Sequence, residues 1–196
     1  MVTAARGRPR SFDRDAALDK AIRLFWRRGY EATSVRDLTE ELGIGAPSLY
    51  SAFGDKQQLF TEALRVYDEK YGGFIDRALA DEPTAKGAAA RVFAEAPERY
   101  TRRDLPTGCL IVSGDAGTTS TEIIEHLRRM RDSKVDAFAA KIRADITAGR
   151  LPADIDPRAL GRYTMSALTG LAQAARDGVT RAELDQVAEI ALRAWP

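Results

Sequence analysis

Apolar positions recur along this chain at helical spacing. Leu18, Ala21, Ile22 and Phe25 stand at i, i+3, i+4 and i+7, which places them on one helix face. Asp13 caps that segment and Gly29 stops it. Val35, Leu38 and Leu42 repeat the pattern over a shorter stretch. Ser34 and Asp37 have capping-box spacing there, and Gly43 closes the helix. A short third helix is predicted over 46–53, with Pro47 in its first turn, where a missing N–H costs nothing. After Gly54, Asp55 caps a fourth helix whose apolar face is Leu59, Phe60, Ala63, Leu64 and Tyr67.

Beyond Gly72 and Gly73 the helices lengthen. Residues 74–80 continue or follow the fourth helix, and an Ala-rich helix covers 84–102. Pro106, Gly108, Gly114 and Gly117 break the segment 104–120, which keeps a short apolar run at Cys109–Val112. A long helix is predicted over 121–148, with Ile124, Leu127, Val135, Phe138, Ile142 and Ile146 on one side. Pro157 opens a helix that runs to about Arg176. In the last helix Leu184, Val187, Ala188, Ala191, Leu192 and Trp195 trace an apolar stripe. No strand or internal repeat is visible, so the predicted fold class is all-α.

The 196 residues, 44% hydrophobic and 30% charged, have the mix of an ordinary folded domain. No stretch is long and apolar enough for a membrane helix, and no signal-peptide pattern is present, so a cytoplasmic location is expected. The single Cys109 has no disulfide partner, and no Cys/His cluster predicts a metal; no cofactor is expected. The net charge of +1 conceals an asymmetry: residues 1–28 hold eight basic side chains against three acidic ones. A basic end on a neutral body fits either a polyanion contact or a solvated tail.

The segment Thr33 to Lys56, TSVRDLTEELGIGAPSLYSAFGDK, is a capped helix, a glycine turn and a short second helix. Val35, Leu38, Leu42, Ile44 and Leu49 are the residues expected to lock the pair. Such a unit sets its second helix in a DNA major groove while the first crosses the backbone.

The run from Asp13 to Phe60, containing LFWRRGYEATSVRDL and LGIGAPSLYSAFGDKQQLF, resembles the N-terminal domain of the TetR family of bacterial transcriptional repressors. The ending ARDGVTRAELDQVAEIALRAWP is similar to the final helices of many members. The resemblance implies a helix-turn-helix DNA-binding domain over 1–70, with a basic arm at 1–12, and an effector-binding and dimerisation domain over 71–196. It implies a homodimer on duplex operator DNA, controlled by a small molecule. The residues that match its DNA-facing positions are Thr33, Ser34, Arg36, Gly45, Ala46, Pro47, Ser48, Tyr50, Ser51 and Lys56. Arg6, Arg8 and Arg10 suit an arm that reaches a narrow minor groove.

Thr33 and Ser34 match positions that present hydroxyls to phosphate, although Ser34 also suits a cap. Arg36 suits a bidentate guanine contact, a phosphate contact or a solvated charge. Tyr50 and Lys56 match phosphate donors. The chain contains no Asn, and the recognition helix has no Gln or Arg. Base readout there is left to Ala46 or Pro47 against a thymine methyl, and to Ser48 or Ser51.

In the second domain Phe93, Tyr100, Cys109, Met130, Phe138, Tyr163, Met165 and Leu168 either line an apolar cavity or fill a core. If they line a cavity, the expected effector is mostly apolar and uncharged. Cys109 with His126, the sole imidazole, is the one pair that would suit an enzyme. A protein-docking helical module is the other alternative to DNA binding. Dimerisation is expected through about 156–176 and 181–195, where Ala167, Gly170, Ala174, Ala188 and Ala191 permit close helix approach.

Overall fold

A computed structural model describes residues 12–196. Its helices are α1 (Arg14–Arg28), α2 (Val35–Leu42), α3 (Ala46–Phe53), α4 (Lys56–Tyr67), α5 (Phe74–Asp81), α6 (Ala85–Tyr100), α7 (Leu110–Ser113), α8 (Thr121–Thr147), α9 (Pro157–Arg176) and α10 (Arg181–Arg193). No strand occurs among the described residues, as the periodicity predicts. Between α4 and α5 the chain makes a π-helical turn, Asp68–Gly72. A Cβ at position 72 would collide with Asp68 Oδ1, so glycine is what lets that carboxylate lie across the turn.

The caps fall on the residues expected. Asp13 accepts from the amides of Asp15 and Ala16, and reciprocal capping boxes join Ser34 to Asp37 and Asp55 to Gln58. Gly43 ends α2 in the left-handed region, φ 68°, where a side chain would be strained.

Two hydrophobic cores divide the molecule. The first joins α1 to α4 and also takes Leu110 and Ile111 from α7 and Ile123 and Leu127 from the start of α8. The second joins α5, α6, α9, α10 and the remainder of α8. Helix α8 therefore serves both cores along its 27 residues, about 40 Å at 1.5 Å per residue. This corrects the predicted stripe in its first turn, where Ile123 is buried and Ile124 is exposed. Val35 is only partly covered and lies outside the first core, unlike Leu38, Leu42 and Leu49.

The stripe on α10 is also corrected. Leu184, Ala188, Ala191 and Trp195 face the protomer's own core, whereas Val187 and Ile190 are 50% and 62% exposed. Tyr163 Oη donates to the Ala191 carbonyl at 2.7 Å, so Ala188 and Ala191 are not the surface of this helix. On α9, Gly170 is exposed and Ala167 and Ala174 are partly covered.

Candidate nucleic-acid interface and effector cavity

Leu49 and Phe53 anchor α3 in the first core. Their spacing turns the opposite face outward, and Gly45, Pro47, Ser48, Tyr50 and Ser51 are all exposed, with Ala46 partly so. No side chain caps the N-terminus of α3. The face is small and polar, with one large residue, Tyr50, at 49% exposure. Arg36 projects beside it from α2, 87% exposed and bonded only to Glu40 one turn on, at 2.8 Å. Of these seven positions named from the sequence, six are exposed and Ala46 is partly covered.

Two expected contacts are committed internally instead. Thr33 is fully buried, and its hydroxyl donates to the Gly29 carbonyl at 2.7 Å. It closes the α1–α2 loop and presents no hydroxyl to a ligand. Lys56 Nζ donates to the carbonyls of Tyr30 (2.9 Å) and Thr33 (2.8 Å) and lies 4.1 Å from the centre of the Tyr30 ring. Burial there pushes its pKa down, with Glu31 opposing. Lys56 is thus a clamp across the same loop, a correction to the free phosphate donor expected.

Ser34 stays exposed while its Oγ caps α2, donating to Asp37 and receiving the Asp37 amide. The Ser34 hydroxyl and the Ser34 backbone N–H, both donating to the Asp37 carboxylate, lower its pKa to about 2 together with Arg28. Arg6, Arg8 and Arg10 lie outside the described residues. Four of the five basic side chains of α1 are paired with acids, Arg14 with Glu62, Arg23 with Asp19, Arg27 with Glu41 and Arg28 with Asp37, and Lys20 is exposed.

A cavity of about 230 Å³ lies where the two cores meet. Tyr100, Cys109, Met130, Met165 and Leu168, five of the eight residues named from the sequence, line it. Phe93 and Phe138 do not: they are buried in the second core and fill it. Tyr163 is likewise turned to α10 and outside the wall. The rest of the wall comes from residues with no ligand signature in the sequence. Trp26 of α1, Tyr67 of α4, Tyr71 of the π turn and Phe74 of α5 supply aromatic rings. Trp26 meets Tyr67 edge-on at 4.7 Å between ring centres.

The wall is also more charged than expected. Lys134, with a side chain 12% exposed, bridges Asp68 (3.2 Å) and Asp76 (2.6 Å), and Arg131 holds the Ile111 carbonyl and Asp115. Arg128 and Arg162 both pair with Asp132. Burial raises the pKa of Cys109, against a hydrogen bond with Tyr67, so the sulfur is held as a thiol. His126 lies instead beside Gln57, Gln58, Thr61, Glu62 and Arg65 of α4. The structure does not bring the Cys109 and His126 side chains together, so it assembles no nucleophile and base from them.

An exposed second helix above a locked first helix, on a body that encloses a cavity, defines a helix-turn-helix regulator. Residues 17–63 match the family described as bacterial regulatory proteins, tetR family. The HTH-type transcriptional repressor ComR of Escherichia coli (strain K12) is 35% identical over the whole of this chain and 94% of its own. The repressor BdcR of the same organism is 30% identical, covering 94% of this chain and 90% of its own. A cysteine mutant of the TetR family transcriptional regulator CifR, complexed with 26bp operator DNA, superposes with a TM-score of 0.89 at 41% identity. That match covers 97% of this chain and all of the other. The chain belongs to the TetR family of transcriptional regulators.

Proposed function

We propose that this chain is a cytoplasmic repressor that binds a pseudo-palindromic operator as a homodimer and is released when a small molecule enters the cavity between its cores. The observation that carries the reading is the face of α3, held by Leu49 and Phe53 and open at Gly45, Pro47, Ser48, Tyr50 and Ser51. Equivalent α3 helices about 34–36 Å apart would enter successive major grooves. Arg36 reads a base edge from the side, Tyr50 meets a phosphate, Ser34 keeps only its capping role, and Arg6, Arg8 and Arg10 reach the minor groove. Lys56 supports the same surface from beneath.

Dimerisation through α9 and α10 is supported by the exposed Val187, Ile190 and Gly170. Two apolar side chains open to water on α10, beside a glycine on α9 that leaves room for a close approach, suit an isologous helical interface. Control is supported by the origin of the cavity wall. Trp26 and Tyr67 belong to the DNA-binding core, so a ligand touches that core directly. It need only prefer the DNA-incompetent arrangement, and a differential of about 2.7 kcal/mol weakens operator binding roughly a hundredfold.

Selection of genomic fragments by the purified protein tests the reading. The expected result is a small set of inverted-repeat sites whose affinity falls steeply with salt. Recovery of random fragments with no shared repeat would overturn it.

A further inference from the structure

The charges of the cavity wall are unevenly placed. Seven cationic and two acidic side chains line it, and the seven divide by where their counter-charges stand. On the side formed by α8 and α9, acids share the wall with their partners: Arg128 and Arg162 meet Asp132, and Lys134 meets Asp68. Arg131 completes that side, held by Asp115 and the Ile111 carbonyl. The other side is formed by the π turn and the end of α6. There Lys70, Arg99 and Arg102 line the cavity, and the carboxylates that balance them do not. Those carboxylates are Asp19, 3.7 Å from Lys70, Glu95, 2.6 Å from Arg99, and Asp104, 2.5 Å from Arg102.

A chain of contacts joins these cations. Asp19 is divided between Lys70 and Arg23 and accepts from the Tyr71 hydroxyl. Arg23 reaches on to the carbonyl of Asp104, whose carboxylate holds Arg102. Arg99 stands three residues before Arg102, its guanidinium 4.7 Å from the centre of the Phe74 ring. Tyr71 and Phe74 are themselves part of the wall, so this cationic side adjoins its aromatic surface.

We propose that the cavity takes an amphipathic monocarboxylate, with a flat apolar body among Trp26, Tyr67, Tyr71, Phe74 and Tyr100 and its carboxylate at Lys70, Arg99 and Arg102. The proposal rests on the reading of this cavity as the effector site. An anion inside the wall meets those three cations first and their carboxylates further off, and attraction falls with distance. A ligand ammonium reverses both effects, and an uncharged ligand leaves them unused. Guanidinium planes offer paired N–H donors that match a carboxylate edge. On the α8 side Asp68 and Asp132 stand in the wall and repel an anion. Lys70, Arg99 and Arg102 are partly exposed, so the carboxylate keeps some of its water and escapes most of the cost of burying a charge. Asp19 belongs to α1, so a carboxylate that competes for Lys70 loosens α1 from the exit of α4.

Calorimetric titration of the full chain with β-naphthoate, β-naphthamide and β-naphthylmethylamine varies the charge on one apolar body. β-Naphthoate is expected to bind about tenfold more tightly than β-naphthamide, equivalent to 1.4 kcal/mol, and β-naphthylmethylamine most weakly. Lys70→Gln with Arg102→Gln should bring β-naphthoate down to the level of β-naphthamide. Equal binding of these two by the parent chain, a margin that survives the double variant, or an amine that binds as well as the carboxylate overturns the proposal. If the double variant does not fold, Arg102→Gln alone decides by the same ratio. Met165→Trp, which fills the cavity, separates the two readings. If it blocks all binding but the parent chain shows no preference by charge, the carboxylate is wrong and the effector site stands. Binding of β-naphthoate unaffected by Met165→Trp removes the effector site and the proposal with it. No binding of any of the three compounds overturns the proposal, and the operator affinity of ligand-free Met165→Trp then decides the effector reading by itself.

Discussion

The DNA-facing end and the cavity end of this molecule are held together by bonds of different reach. In the helix-turn-helix, Ser34 and Asp37 satisfy each other three residues apart, Asp55 and Gln58 do the same, and Lys56 crosses 26 residues to the Tyr30 carbonyl. Around the cavity, Lys134 reaches Asp68 across 66 residues and Arg176 reaches Trp26 across 150. The helix-turn-helix is tied by short-range bonds, although the core beneath it also takes Leu110, Ile111, Ile123 and Leu127 from α7 and α8. The cavity end is assembled from distant pieces, so a ligand that shifts one piece shifts the others. Binding DNA needs the first property, and responding to a small molecule needs the second.

The sharpest way to separate assembly from local structure is at the exposed face of α10. Ile190→Asp should give a helical monomer by sedimentation, with operator affinity reduced about 10²–10⁴-fold as two linked half-sites become independent. A dimer that survives this change would move the interface elsewhere.

Phe138→Ala should cost roughly 3–5 kcal/mol in denaturant unfolding, because Phe138 fills the second core and not the cavity. A change in ligand response without that loss would return Phe138 to the ligand site. Arg36→Ala should cost about 1–3 kcal/mol on the operator and little on random DNA if the side chain reads a base. Equal losses on both would make it a phosphate contact.

The smallest effect belongs to the α2 cap. Asp37 titrates at its ordinary 3.8 when unfolded and at about 2 when folded. Its contribution is complete above the unfolded value and disappears as the pH falls through the folded one. Protection of the α2 amides, followed by hydrogen exchange, should therefore decline between about pH 5 and pH 2. Asp37→Asn should remove that dependence.

The same contrast in reach explains what the sequence revealed. The caps at Asp13, Ser34 and Asp55, the turn at Gly43 and the outward face of α3 depend on neighbours within a turn or two, so their spacing is legible. Thr33 and Lys56 read as ligands because each matches a DNA-facing position of the family. The carbonyls that occupy them, from Gly29, Tyr30 and Thr33, carry no signature in side-chain order.

The cavity is a meeting of surfaces, and one-dimensional pattern does not separate lining from filling. Phe93 and Phe138 look like Met165 and Leu168 by type and period, yet only the latter pair reach the wall. Tyr67 read as the apolar face of α4, and Trp26 and Tyr71 carried no assignment. The one available signal was Trp26 itself, since a buried indole N–H ordinarily needs an acceptor and its helix offers none. Ile123 and Ile124 were interchangeable by spacing until α8 was seen to leave one core for the other.

The central claim is that the content of the cavity sets the affinity of α3 for DNA, because α1 and α4 form part of the cavity wall. Operator binding by Met165→Trp, measured without any ligand, tests it directly. The side chain at 165 is only partly buried and lines the cavity, so an indole there acts as a tethered occupant. The account predicts a folded dimer of nearly unchanged melting temperature whose operator affinity falls about a hundredfold, corresponding to 2.7 kcal/mol. A folded variant that holds its operator as tightly as the parent chain would contradict it.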